Sequence, residues 1–219
     1  MSIDIPNSWT FKNPHVAHGF DSHVREQLPW YDFATQAIAH IGRHYIPTSG
    51  IVYDIGASTG NIGLALKQTL EERCGKLIAI EESEDMASLY KGGGELVIAN
   101  AIDYEFKNFD FAVCFLVLMF FPVNIRRAWI ASLISKMNPG GAIVIVDKVI
   151  TPHGYIGTVL RRLSMAWKVD TGTSASDIVR KELSLAGYQR PINPSILEEV
   201  GIRFFQIGEF SGWVIEKSE

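Results

Sequence analysis

The residues Asp54-Ile55-Gly56-Ala57-Ser58-Thr59-Gly60 carry the most specific chemistry in the chain. They follow an apolar, β-branched run from Gly50 to Ile55 and precede Asn61 to Arg73, where Ile62, Leu64, Ala65, Leu66 and Leu70 give a helix its packing side. A glycine-rich turn between strand and helix lets a ligand lie against the backbone. The helix start offers free N–H groups to an anion. That anion is pyrophosphate in a dinucleotide site and a carboxylate in an amino-acid site. The spacing here is G-x-S-x-G, not the G-x-G-x-x-G of a dinucleotide loop. Asp54, two residues before the first glycine, suits an ammonium group and would sit badly beside pyrophosphate. The loop therefore predicts a site for the methionine end of S-adenosylmethionine (SAM).

Further candidates follow at the ends of later apolar runs. Glu81 closes the run Lys76 to Ile80, where a carboxylate can accept both ribose hydroxyls. In Ala99-Asn100-Ala101-Ile102-Asp103, Ile102 can pack on an adenine face, and Asp103 or a backbone group is left for the adenine amine. The stretch Cys114 to Pro122 is almost wholly apolar, and aromatic faces there suit a sulfonium cation. It contains neither the N-P-P-Y nor the D-P-P-Y of base amino-group methylation, and no Pro-Cys nucleophile. No catalytic residue is assigned. His15, His18 and His23 form a loose cluster, a weak basis for metal binding. Arg161, Arg162, Lys168, Arg180 and Lys181 make a locally basic helical region, read as solvated faces with an anion contact as the alternative.

The elements that must position these residues alternate. Strands are expected at Gly50 to Ile55, Lys76 to Ile80, Glu95 to Ala99, Phe109 to Leu116 and Ala142 to Asp147. Helices are expected at Asn61 to Arg73, Glu84 to Tyr90 and Asn124 to Met137, the last stopped by Pro139-Gly140-Gly141. Such alternation implies a mostly parallel sheet with right-handed crossovers. The first twenty residues read as irregular, and a helix covers Asp21 to His44 with a break near Pro29. Thr151 to Gly187 reads as two or more helices, Pro194 to Val200 as another, and Ile202 to Ile207 with Trp213 to Glu216 as a hairpin turning over Gly208 to Gly212. The expected fold is α/β, Rossmann-like: the seven-stranded, mostly parallel sheet of class I SAM methyltransferases, with an antiparallel C-terminal hairpin and helices on both faces. Residues 1–219 form one such domain, with an N-terminal helical extension over 1–48 and a helical cap or dimer segment over 151–200.

Bulk properties narrow the class. The chain has 219 residues, 47% hydrophobic, enough for a sizeable core. Its formal net charge of −4 excludes a strongly basic nucleic-acid footprint, so a nucleic-acid acceptor is possible but not indicated. Cys74 and Cys114 belong to no metal-ligand pattern and suit a reduced, cytoplasmic chain with no structural metal. No signal-peptide h-region or bilayer-length apolar run is present, so no membrane partner is expected.

Beyond the loop, the sequence from about residue 20 to 217 resembles the carboxy-S-adenosylmethionine (carboxy-SAM) synthases. Phe20-Asp21…Val24 resembles that family's F-D-x-x-V, and Pro29-Trp30-Tyr31 its P-G-Y. Val52 to Ser58 is similar to V-Y-D-L-G-C-S, Ile78 to Glu81 to I-A-I-D, and Asn138 to Ala142 to N-P-G-G-A. Trp167-Lys168 falls on F-K, and Phe204 to Trp213 on the terminal hairpin. The resemblance implies a SAM or carboxy-SAM ligand, carboxylation of the SAM methyl from prephenate for tRNA wobble-uridine modification, and a homodimer whose C-terminal helices meet. It implies that Tyr31 contacts the ligand from the N-terminal helix, that Gly56, Ala57 and Ser58 line its methionine end, and that Glu81 takes the ribose. The chain departs from the pattern at three places. The family's asparagine after the fourth strand falls on Cys114, its adenine-site aspartate on Ala101, and its carboxylate-gripping arginine on Glu182. A glutamate would face a carboxylate with like charge, whereas an arginine binds it with two charge-assisted bonds. Arg180 or Lys181 could take that role only with a shifted helix. The expectation is therefore a SAM-dependent methyltransferase of unidentified acceptor, with carboxy-SAM synthesis and non-catalytic SAM binding as alternatives.

Overall fold

The computed structural model describes residues 5–218. Helix α1 (Pro14–Gln27) starts inside the segment expected to be irregular, and its start has a plain local cause. Asn13 caps it by accepting from the His15 N–H (2.9 Å), and Pro14 supplies the first helical φ. The break expected near Pro29 is present, and α2 (Tyr31–Tyr45) follows it.

The core alternation is β1 (Ile51–Ile55), α3 (Asn61–Arg73), β2 (Lys76–Glu81), α4 (Glu84–Ala87), β3 (Glu95–Ile98), β4 (Phe109–Phe115), a 3-10 turn at Leu118–Phe120, α5 (Arg126–Lys136) and β5 (Met137–Lys148). β5 begins five residues before the expected strand, because Met137 already pairs with Phe109. Gly140 and Gly141 are absorbed as an irregularity in that pairing, not as a stop before it. α4 is shorter than expected and is capped by Ser83, whose hydroxyl accepts from the Met86 N–H.

The C-terminal part contains α6 (Tyr155–Asp170), α7 (Ala175–Ser184), α8 (Ser195–Glu198), β6 (Ile202–Ile207) and β7 (Phe210–Glu216). The hairpin turn is tighter than the expected one: only Gly208 and Glu209 separate β6 from β7, and Gly208 takes φ +57. β7 inserts antiparallel between β5 and β6, so Trp213 is fully buried against β5.

The strands lie in the order β3-β2-β1-β4-β5-β7-β6. β1 to β5 are parallel, and the order reverses direction between β1 and β4. That switch point leaves a crevice outside the carboxyl ends of the strands. One face of the sheet packs α5 through Trp129, Ile130 and Leu133, and the other packs α2 and α3 through Ile38, Ile62 and Leu66.

Candidate functional site

A cavity of about 500 Å³ opens at the switch point. The loop after β1 forms its floor in a strained conformation: Gly56, Ser58 and Gly60 have φ of +72, +52 and +93. A side chain at Gly60 would strike the Gly92 backbone, so glycine is required there for space as well as for φ. Most loop amides serve the protein itself. Gly56 and Ala57 donate to the Ile80 carbonyl, Gly60 to Ala57, and Ser58 to Glu81 Oε2 at 2.7 Å. At the start of α3, the amides of Asn61 and Ile62 line the cavity with no backbone acceptor among the described residues. They are the loop's remaining donors for an anion.

Two carboxylates stand beside this floor. Asp54, at 2% exposure, has an Oδ2 with no hydrogen-bond partner among the described residues. Burial, and then the nearby Glu81 charge, push its carboxyl up to about 7, against a bond from the Gly63 N–H. Glu81 is held by two backbone donors, Ser58 N–H and Ser83 N–H (2.8 Å), and burial raises its pKa. A carboxylate accepts about four hydrogen bonds, so Glu81 keeps acceptor capacity for a ligand.

α1 and α2 close one side of the cavity. Asp21 on α1 accepts from Thr59 Oγ1 (2.6 Å) and Asn61 Nδ2 (2.8 Å), which ties the helix to the loop. Tyr31 is buried, stacks on Phe115 at 4.9 Å and lines the cavity. Ala57, Ile102, Leu116 and Val117 complete that wall.

The cavity thus brings together Tyr31, Asp54, Gly56, Ala57, Ser58, Glu81 and Ile102. Gly60 shapes the loop without lining the cavity. Cys114 is a correction. It is wholly buried inside β4, paired between Ile55 and Ile145, and burial holds its thiol well above the usual range. The next residue, Phe115, faces the cavity, because side chains alternate along a strand. Asp103 and the His15 and His18 side chains also stand outside the cavity lining. Among the described residues no group of three or more His, Cys, Asp or Glu side chains could hold a metal ion.

A second set of lining residues was not assembled by sequence reasoning. Trp9, His23, Lys148, Lys168, Lys181 and Glu182 reach the cavity from five different segments. Glu182 does not stand alone: it pairs with Lys168 at 3.2 Å, and Lys148 and Lys168 hold its carboxyl below the usual range despite burial. Lys181 reaches the cavity without the helix shift that the sequence required of it. The Glu182 charge is therefore offset locally by Lys168 and Lys148, which line the same space.

No protein-family model matches the chain. It is 25% identical to a carboxy-S-adenosyl-L-methionine synthase from Staphylococcus epidermidis, over 97% of this chain and 98% of that one. It is 28% identical to the same-named protein of a Shewanella species, over 84% and 79%. The chain is a divergent relative of the carboxy-SAM synthases. Among solved structures it is similar to a methyltransferase described as SAM-dependent from Methanococcus maripaludis, with TM-score 0.58, 14% identity and 97% and 96% of the chains covered. It is also similar to the plantazolicin methyltransferase bound to SAH, with TM-score 0.59, 13% identity and 92% and 89% covered. The fold is that of class I SAM-dependent methyltransferases.

Proposed function

We propose that the protein is a SAM-dependent transferase that moves a methyl group to an acceptor. The observation that carries this reading is Asp54 Oδ2, a buried carboxylate oxygen with no partner among the described residues, at the edge of the cavity. Buried polar groups are nearly always satisfied, so this one awaits a donor, and an ammonium group both bonds it and neutralises it. The Asn61 and Ile62 amides would take the carboxylate of the same amino acid, Glu81 the ribose, and Ile102 the adenine face. SAM supplies an electrophilic methyl on a sulfonium. The chain's part is to hold it, exclude water with Tyr31 and Phe115, and orient the acceptor. Lack of an acid at Ala101 leaves the adenine amine to backbone or Asn100 groups.

A second reading, carboxy-SAM synthesis, is favoured by Lys148 and Lys168, cations that line the cavity where the arginine is lacking. Mass spectrometry of ligand released from natively purified protein separates the two. SAM or S-adenosylhomocysteine (SAH) supports methyl transfer, and carboxy-SAM supports the second reading. A nucleic-acid acceptor is the least favoured option at a net charge of −4.

α6 and α7 expose Tyr155, Ile156, Val169, Val179 and Leu183, none of which lines the cavity, and we assign these residues to a homodimer contact. A cytoplasmic location agrees with the two free cysteines. No helix among the described residues is long and apolar enough to cross a membrane.

Two outcomes are expected from calorimetry with SAH. Glu81→Gln removes the charge on the ribose-side acceptor and weakens SAH by about 2 kcal/mol, or roughly 30-fold. SAH affinity also depends on pH through Asp54. The empty carboxyl titrates at about 7, and an ammonium partner favours its ionised form. Below pH 7, binding must first expel the proton, so affinity falls by up to about tenfold per pH unit and is level just above it. Titrations in two buffers of different ionisation enthalpy will show proton release at pH 6.

A further inference from the structure

Away from Asp54, two nitrogens of the second set of cavity side chains lack a polar partner among the described residues. His23 is buried on α1, and its Nε2 has no partner among the described residues. Lys181 on α7 places Nζ over the Trp9 ring and makes no hydrogen bond or ion pair among the described residues. Trp9 is itself fixed: its backbone N–H donates to the Ser184 carbonyl (2.9 Å), and its ring stacks on His23 at 5.8 Å. Phe11, 5.9 Å from Trp9, and Phe120, 5.2 Å from Phe11, extend the aromatic surface. The charged groups around Lys181 are Lys168 on α6 and Glu182 on α7, already paired with each other. One end of the cavity therefore offers aromatic walls and two nitrogens with no hydrogen bond or ion pair among the described residues.

We propose that this end holds the acceptor as a planar weak acid, a phenol-type hydroxyl compound, and that Lys181 takes its proton. This rests on the methyl-transfer reading above. Aromatic walls take a planar ring in offset or edge contact. Unpartnered buried nitrogens require a ligand that can donate to them, and a hydroxyl does so. Burial and the Lys168 charge push the Lys181 amine down to about 5, and burial pushes His23 down to about 4. Both nitrogens are thus neutral near pH 7, while Lys148 and Lys168 together outnumber the single charge of Glu182 around them. In the complex the phenolate charge raises the Lys181 amine and the Lys181 ammonium lowers the phenol, so the proton moves only when the two lie side by side. In the transfer step the O–H proton passes to Lys181 Nζ, and the phenolate oxygen bonds to the methyl carbon. The carbon–sulfur bond breaks with its electron pair on sulfur, giving the methyl ether and SAH. Lys181 then returns the proton to water as product leaves.

The test needs no turnover. The probe is 4-nitrophenol, whose phenolate is yellow and whose neutral form is not, titrated into SAH-saturated protein at pH 6 with absorbance as the readout. Wild-type protein is expected to bind the probe as phenolate, lowering its apparent pKa by about one unit or more. In Lys181→Met and Lys181→Gln, the phenolate fraction is expected to fall about tenfold, with SAH calorimetry reporting whether each variant is folded. The proposal is overturned if the SAH-bound wild type does not bind the probe, binds it neutral, or ionises it no better than both variants. Failure of SAH itself to bind wild-type protein would instead tell against the SAM site.

Discussion

Replacing Asp54 with Asn is expected to weaken SAH binding by about 3 kcal/mol, or roughly 100-fold, without unfolding the protein. The amide keeps the shape and one acceptor but loses the charge that an ammonium group needs in a desolvated site. Stability should move the other way. In the free protein, Asp54 and Asp147 both titrate at about 7, mainly because both are buried. A carboxyl raised above its ordinary value contributes stability that is fully present below that value and is lost as pH rises through 7. Wild-type protein at pH 8 therefore carries an ionised, uncompensated Asp54, and Asp54→Asn removes that burden. Its melting temperature at pH 8 should equal or exceed that of wild type, and its decline between pH 5 and 8 should be shallower. His23 and Lys181 act in the opposite sense at low pH, but they are common to both proteins. A variant that loses the ligand and keeps or gains stability separates a binding role from a packing role.

The second large effect is on the frame of the site. Arg126 is 1% exposed and donates to the carbonyls of Met119, Phe121, Arg190 and Pro191, at distances from 2.8 to 3.3 Å. It also faces Asp147, which in turn accepts from the Met119 and Lys148 N–H groups. One side chain therefore joins the turn after β4, the end of β5 and the segment leading to α8. Arg126→Met leaves those carbonyls and Asp147 without their cation and should destabilise the fold by about 3–5 kcal/mol in chemical denaturation. Because Met119 and Phe121 line the cavity, SAH affinity should fall as well, unlike the stability-neutral loss in Asp54→Asn.

The legible part of the site was its local part. Asp54, Gly56, Ser58 and Gly60 are close in sequence and fixed by one strand-loop-helix unit, so their spacing alone set the geometry. Glu81 followed because β2 pairs with β1 in register, Ile80 opposite Ile55. Cys114 failed for a one-residue reason. Alternation along β4 turns Cys114 into the core and Phe115 to the cavity, and an ungapped motif match cannot see which face is which. The start of α1 was readable in Asn13-Pro14, a cap followed by a first-turn proline, but the surrounding polar residues masked it. Trp9, His23, Lys168 and Lys181 could not be joined from sequence, since helix docking alone makes them neighbours. The same docking gave Glu182 a lysine partner, which a residue-by-residue reading of charge could not supply.

The β1–α3 loop, Asp54 and Glu81 are proposed to bind a SAM-type ligand. Isothermal titration of SAH into the wild-type protein at pH 7.5 tests it most directly. Saturable micromolar binding at one site per chain is expected. A folded protein that shows no saturable SAH binding up to millimolar ligand would contradict it.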